Sequence, residues 1–177
     1  MATAPDDRHP GLDPGSRTTA PDDGHPGLDP GSRTTRPLIS VILPTFNRPG
    51  YLREAAASIL GQTVEDLELL IVDDCSTDET DAVIADLCRE DRRVAGLRTE
   101  SNGGCNRARN LALDRAKGRC IAFLDDDDVA VPGRFESCLA ALEARPSSGF
   151  ASCGYGFIDA RGTRLPGSAP EFDAGVE

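Results

Sequence analysis

Four adjacent aspartates, Asp125 to Asp128, follow the short apolar run Ile121 to Leu124. An apolar run of that length between polar flanks reads as a strand buried on both faces, with the acids at its carboxyl end. In open α/β sheets that edge is where ligands bind. Like charges in a row repel, so something must offset them. A hard divalent cation is the natural candidate, because Mg²⁺ and similar ions take oxygen ligands and often bridge to phosphates. The plain alternative is a solvated acidic turn. The strand feeding straight into the acids favours the ligand site. So does a second acidic strand end, where Glu68-Leu69-Leu70-Ile71-Val72 runs into Asp73-Asp74.

The elements that must position these acids follow in order. Leu38 to Leu43 reads as a first buried strand and Pro44-Thr45-Phe46-Asn47-Arg48-Pro49 as a loop. The spacing of Leu52, Ala55, Ala56, Ile59 and Leu60 predicts a helix from about Gly50 to Gly61. After the second strand, Ser76, Thr77 and Asp78 offer N-cap side chains for a helix to about Arg89, with Val83, Ile84, Leu87 and Cys88 inward. Val94 to Arg98 is a third strand. A helix from about Asn106 to Ala116 carries Ala108, Leu111 and Ala112 inward, with Gly118 as its stop. After the acids, Pro132 opens a helix that buries Phe135, Cys138, Leu139 and Leu142. Phe150 to Ile158 reads as a further strand, and Asp159 to Gly162 as a turn. Alternating strands and helices predict a mostly parallel sheet in a three-layer α/β/α arrangement.

Composition bounds the function. The chain has 177 residues, 38% of them hydrophobic, which supports one domain with a real core. A net charge of −11 leaves no basic stripe for nucleic acid. The only lysine is Lys117 and the only histidines are His9 and His25, so a histidine triad in the folded part is excluded. Cys75, Cys88, Cys105, Cys120, Cys138 and Cys153 contain no C-x-x-C pair, which reads as reduced, mostly buried thiols of a cytosolic protein. No apolar stretch approaches the roughly 18 residues of a membrane span, and the N-terminus has no signal-peptide core.

Residues 3–35 are an internal repeat. The stretch from Thr3 recurs from Thr19 with one change, Arg8 to Gly24. Proline, glycine and aspartate dominate it, so it cannot bury enough apolar surface to offset chain entropy. Residues 1–36 are expected to be a disordered tail, and residues 37–177 the folded domain.

The motifs together resemble the nucleotide-binding part of a family 2 glycosyltransferase of the GT-A fold. The resemblance runs from about Leu38 to Leu142. It rests on Ser40 to Arg48, Ile71 to Asp78, Asn102-Gly103-Gly104 with Ala108-Arg109-Asn110, Ala116-Lys117-Gly118, and Phe123 to Asp128 with Pro132. Cys75 departs from it, standing where the family usually has glycine or asparagine, and the compact side chain is expected to leave the turn intact.

The resemblance implies a nucleotide-diphospho-sugar donor, UDP-, GDP- or dTDP-linked. Pro44, Thr45 and Arg48 would surround the base, with Asp74 accepting a hydrogen bond from its edge. Asp74 also fits a helix N-terminal acid. Asp125-x-Asp127 would be the D-x-D motif. Asp127 would ligate Mg²⁺ or Mn²⁺, Asp125 would reach the ribose or the metal, and Asp126 would lie among the nucleotide-binding residues. Arg109 is either a surface helix residue or a group near the phosphates. The implied reaction is metal-dependent sugar transfer with inversion, in cell-envelope polysaccharide synthesis. It would take place in the cytoplasm or at the inner face of the membrane.

The family's base is an acid well downstream of D-x-D. Asp159, Glu171, Asp173 and Glu177 sit in no recognisable acceptor motif, so the catalytic base is unassigned and the domain is expected to be incomplete at its C-terminus. The sugar, lipid or protein acceptor is equally open. An exposed sheet edge beyond Ile158 would favour self-association. Two alternatives stand beside transfer. One is a donor-binding remnant without activity. The other is a haloacid-dehalogenase-type phosphatase, whose D-x-D-x-[TV] motif Asp125 to Val129 matches literally but whose downstream lysine is missing.

Overall fold

The computed structural model describes residues 36–167. The repeat at 3–35 and the acids Glu171, Asp173 and Glu177 lie outside the described residues. The elements in chain order are β1 (Ile39–Thr45), α1 (Pro49–Leu60), β2 (Leu67–Asp73), α2 (Thr80–Glu90), β3 (Val94–Arg98), α3 (Cys105–Leu113), β4 (Cys120–Phe123) and α4 (Arg134–Ala144). The strands form one sheet in the order β3-β2-β1-β4, every neighbouring pair parallel. This is the three-layer α/β/α arrangement that the alternating pattern predicts.

Period-two alternation sends β1 into two cores. Ile39, Val41 and Leu43 pack with Leu69 and Ile71 against Leu52, Ala56 and Ile59 of α1, Val83 and Leu87 of α2 and Phe135 of α4. Ile42 points the other way, with Leu70 and Val72, onto Ala108 and Ala112 of α3. Each face is therefore dry, and the central strands read as continuous apolar runs for that reason.

β4 differs from the expectation of burial on both faces. Cys120 and Ala122 join the first core. Ile121 and Phe123, on the other face, remain 40% and 43% exposed. β4 is an edge strand, and α3 packs on β1, β2 and β3 without covering it. Among the described residues Phe150 to Ile158 is not a strand. Only an isolated bridge joins Ile158 to Arg164, and Phe150, Tyr155 and Phe157 are exposed. An apolar run without a paired neighbour has no ladder to join.

Three local expectations change as well. α2 starts at Thr80, and the side chain of its cap residue Glu79 makes no capping bond. Asp78 Oδ1 instead accepts from Thr80 N at 3.0 Å, while Ser76 is engaged elsewhere. Pro132 precedes the cap residue Gly133 of α4 instead of sitting in its first turn. α3 ends at Leu113, so Gly118 is not its stop. Gly118 lies against β1, where its N–H donates to Ser40 Oγ at 2.7 Å. Ser40 Oγ donates in turn to Glu68 Oε1 at 2.5 Å, which also accepts from Lys117 N at 2.7 Å. This polar chain docks the segment that delivers β4.

A Cβ at Gly118 would lie 2.3 Å from Ser40 N, whereas one at Gly50 would meet nothing within 4 Å. Gly118→Ala is therefore expected to cost about 1–3 kcal/mol through overpacking. Gly50→Ala, in the first turn of α1, should be neutral or stabilising by up to about 1 kcal/mol. Urea midpoints at unchanged m-value measure both, and equal midpoints for the two variants would disprove the close approach.

Candidate functional site

The carboxyl ends of β1, β2 and β4 place three loops along one sheet edge. The loop after β1 is held first. Asn47 adopts φ 53°, a left-handed conformation that asparagine tolerates. Its backbone N–H donates to Ser76 Oγ at 2.9 Å, and its Oδ1 accepts from Thr77 N at 2.8 Å. The loops after β1 and β2 are thus clamped to each other. Cys75, at φ 68°, carries the turn between them, and the turn survives the absence of glycine. Asp73, only 1% exposed, accepts from Ser76 N at 2.9 Å and pairs with Arg98. It braces the turn from inside.

Of the four aspartates after β4, only Asp126 turns inward. Asp126 is buried, and its Oδ2 accepts from Thr45 Oγ1 at 2.8 Å. Arg48 Nη1 donates to Asp126 Oδ1 at 3.1 Å and to Asp127 Oδ2 at 2.6 Å. Arg109 Nη2 pairs with Asp125 Oδ1, and the Arg109 guanidinium lies 5.9 Å from the Phe123 ring centre. Guanidinium groups therefore offset the acidic run in the protein itself, a partner that composition alone does not single out. The hydrogen bond to Asp127 and the charge of Asp126 raise the pKa of Arg48, which stays fully charged. Burial and the charges of Asp127 and Asp125 push the Asp128 carboxyl up, against the opposing charge of Arg134.

The turn is held from its far side too. The Gln62 side chain is buried at the end of α1. Its Nε2 donates to Val131 O at 2.9 Å, and its Oε1 accepts from Phe135 N at 3.3 Å. Ser58 Oγ accepts from Ala130 N at 3.0 Å. These bonds fix where the chain leaves the aspartates.

Asp74 sits across the cleft, 3% exposed. Its carboxylate accepts from Thr99 Oγ1 at 2.8 Å, from Gly103 N at 3.0 Å and from Gly104 N at 2.6 Å. Burial pushes this carboxyl up. The bonds from Gly103, Thr99 and Gly104 and the charge of Arg107 outweigh it, so its pKa ends below the usual carboxylate range. Gly104 can bring its N–H there because it adopts φ 82°. Asp74 fixes the turn ahead of α3, in addition to facing the cleft.

A cavity of about 410 Å³ opens between these loops. Pro44, Thr45 and Arg48 line it from the first loop, Asp74 from the second, and Asp125, Asp126 and Asp127 from the third. Arg109 stands behind Asp125. Of the nucleotide- and metal-site residues singled out in the sequence, all but Arg109 line this one cleft. Phe46, Asn102, Gly104 and Cys105 also line it and were not assigned there. The Asn-Gly-Gly signal marks a turn, but only the folded chain shows its N–H groups turned to Asp74. Of the cysteines, Cys105 and Cys153 are exposed and the other four half-buried, contrary to the expectation of mostly buried thiols.

Asp125 and Asp127 suit a hard cation in donor type, and each side chain is 51% exposed. Among the described residues no three acidic, cysteine or histidine side chains group into a complete cation site. A cation at this turn would need oxygen from a second ligand, as Mg²⁺ sites commonly do.

The lowered pKa of Asp74 sets a pH dependence. Its stabilising contribution is fully present above the unfolded carboxylate value of about 3.9 and is lost as pH falls through the lower folded value. Asp74→Asn should cost about 1–3 kcal/mol at neutral pH, the loss of charged hydrogen bonds to backbone donors. It should also flatten the acid limb of stability. Denaturation at pH 3 to 7 checks this, and a variant with the parent's acid limb would contradict it.

Comparison with known proteins gives the same assignment. The profile of glycosyl transferase family 2 matches residues 40–173. The Bacillus subtilis protein named as a teichuronic acid biosynthesis glycosyltransferase, TuaG, is 39% identical over 130 residues, 73% of this chain and 51% of that protein. A Campylobacter jejuni GalNAc(5)-diNAcBac-PP-undecaprenol beta-1,3-glucosyltransferase is 38% identical over 65% of this chain and 36% of its own length. Among solved structures, the mannosyltransferase PcManGT from Pyrobaculum calidifontis, in complex with GDP-Man and Mn²⁺, superposes with a TM-score of 0.62. It is 26% identical over 72% of this chain and 37% of that one. S. aureus TarS 1–349 in complex with UDP-GlcNAc gives a TM-score of 0.57 at 25% identity, over 68% of this chain and 40% of that one. The chain spans about half the length of the curated relatives it matches. With the profile covering residues 40–173, most of the chain, the chain belongs to glycosyl transferase family 2.

Proposed function

We propose that the cleft binds a nucleoside-diphosphate sugar and that the sugar is transferred, with inversion, to an acceptor hydroxyl. The observation that carries this reading is the convergence of Pro44, Thr45, Asp74, Asp125, Asp126 and Asp127 on one cavity. The structures in complex with GDP-Man and with UDP-GlcNAc support a donor of this class, a UDP-, GDP- or dTDP-sugar. In this reading Pro44 and Thr45 wall the base, and Asp74 holds the Gly103-Gly104 turn against it. Asp125 and Asp127 would hold Mg²⁺ or Mn²⁺ together with the diphosphate, and the Mn²⁺ in PcManGT supports a divalent ion. Such an ion supplies neutralisation of charge on the leaving diphosphate.

Asp159 does not suit the role of general base. Its Oδ1 accepts from Arg161 N at 2.9 Å and Thr163 N at 2.8 Å. Those bonds lower its pKa, so it holds a turn and takes up a proton poorly. Among the described residues we assign no base.

Teichuronic acid in one relative's name and undecaprenol in another's support a place in cell-envelope polysaccharide synthesis, in the cytoplasm or at the inner membrane face. No helix among the described residues is long and apolar enough to cross a membrane. The same proposal includes a tail over residues 1–36, a domain from residue 37 onward, and self-association near Ile158, where exposed Phe150, Tyr155 and Phe157 stand in place of the expected sheet edge.

Asp127→Asn tests the proposal. Mn²⁺ with UDP or GDP should raise the melting temperature of the parent by mass action. In the variant the shift should vanish while apo stability changes little, because the lost pairing with half-exposed Arg48 contributes at most about 1 kcal/mol. Differential scanning fluorimetry reads both, and an undiminished shift in Asp127→Asn would refute the D-x-D assignment.

A further inference from the structure

Asp127 and Asp125, two of the exposed carboxylates of the acidic turn, are capped by arginines that approach from different elements. Arg48, from the loop before α1, contacts Asp127 Oδ2, and Arg109, from α3, contacts Asp125 Oδ1. Those are the two carboxylates that the proposed function gives to a cation. Neither arginine side chain is fully buried, although Arg48 also holds Asp126 Oδ1 at 3.1 Å. The Arg48 side chain is 47% exposed. Arg109 Nε is buried without a hydrogen-bond partner, a standing cost in its present position. Its Nη1 makes only long contacts, 3.4 Å to Asn106 Oδ1 and 3.7 Å to Cys105 Sγ.

We infer that Arg48 and Arg109 are an exchangeable counter-ion pair. They cap Asp127 and Asp125 while no donor is bound, and release them to a divalent cation when a nucleoside diphosphate takes the guanidinium groups. The inference rests on the proposed donor site.

A cation arriving alone must displace two charged partners and finds no complete carboxylate site. A diphosphate changes both conditions. Its oxygens match the planar fork of a guanidinium, so Arg48 and Arg109 gain new acceptors, including one for the orphaned Nε. The freed carboxylates and the phosphate oxygens together then form an oxygen site for the cation. Binding is therefore mutually reinforcing, and linkage requires each ligand to strengthen the other by the same factor. Asp126 stays buried on Thr45 throughout and keeps the turn in place.

Electron paramagnetic resonance of free Mn²⁺, titrated into the full chain with and without UDP or GDP, tests the pair. In the parent, Mn²⁺ alone should bind weakly, and the diphosphate should raise its affinity roughly tenfold or more. Arg109→Gln and Arg48→Gln should each tighten binding of Mn²⁺ alone by roughly threefold or more and shrink the enhancement. Arg109→Gln leaves the buried Asp126 untouched, so it remains informative if Arg48→Gln fails to fold. Arg53→Gln removes the same charge from an arginine paired with Asp86, away from the turn, and should behave as the parent. If Mn²⁺ alone binds both variants no tighter than the parent and the enhancement persists, the counter-ion exchange is wrong and the donor site stands. If Arg53→Gln reproduces their effect, general electrostatics explains it and the exchange is again wrong. If the parent binds no Mn²⁺ with UDP or GDP, nor with dTDP in the same titration, the proposed donor site itself falls.

Discussion

A buried carboxylate must be paired or it destabilises the fold that buries it. Asp126 meets that condition through the Thr45 hydroxyl and the Arg48 guanidinium. The two partners come from the end of β1 and the loop beyond it. The bond therefore ties the turn after β4 to the turn after β1 across the sheet edge. With Asp126 turned inward, Asp125 and Asp127 must turn outward, since they flank it in a tight turn. The spacing of Asp125 and Asp127 follows from the inward-facing neighbour between them. Gln62 and Ser58 hold the far side of the same turn, so its position is set from both ends.

The sheet makes this arrangement possible. β1 lies between β2 and β4, and all three run the same way. Their carboxyl ends are neighbours, so residues far apart in the chain meet without long loops. Asp74 N donates to Thr45 O at 2.9 Å, which extends the β1–β2 ladder into the cleft itself. The polar chain from Gly118 through Ser40 to Glu68 performs a similar service at the opposite end of β1. It sets where β4 begins and hence where the aspartates end up.

Most of the framework was legible in the sequence because its signals are local. Apolar runs gave β1 and β2, and the helical stripe of Leu52, Ala55, Ala56 and Ile59 gave the buried face of α1. Aspartates after two such runs marked the functional edge. Four identical residues in a turn carry no period, however, so nothing local says that Asp126 points inward. Ser76 looked like a helix cap because its hydroxyl competes for backbone donors in any nearby structure, and here the loop after β1 wins it. The exposure of Ile121 and Phe123 depends on the reach of α3, which is a tertiary property. Phe150 to Ile158 shows the same limit, since a strand needs a neighbour that its own residues cannot specify.

The central claim is that three loops on one sheet edge form a site for a nucleoside diphosphate and a divalent cation. Isothermal calorimetry of UDP, GDP and dTDP against the 177-residue chain, each with and without Mn²⁺, tests it most directly. The account predicts one-to-one binding of at least one of the three, stronger with Mn²⁺ than without. No heat of binding for any of them in the presence of Mn²⁺ would contradict it.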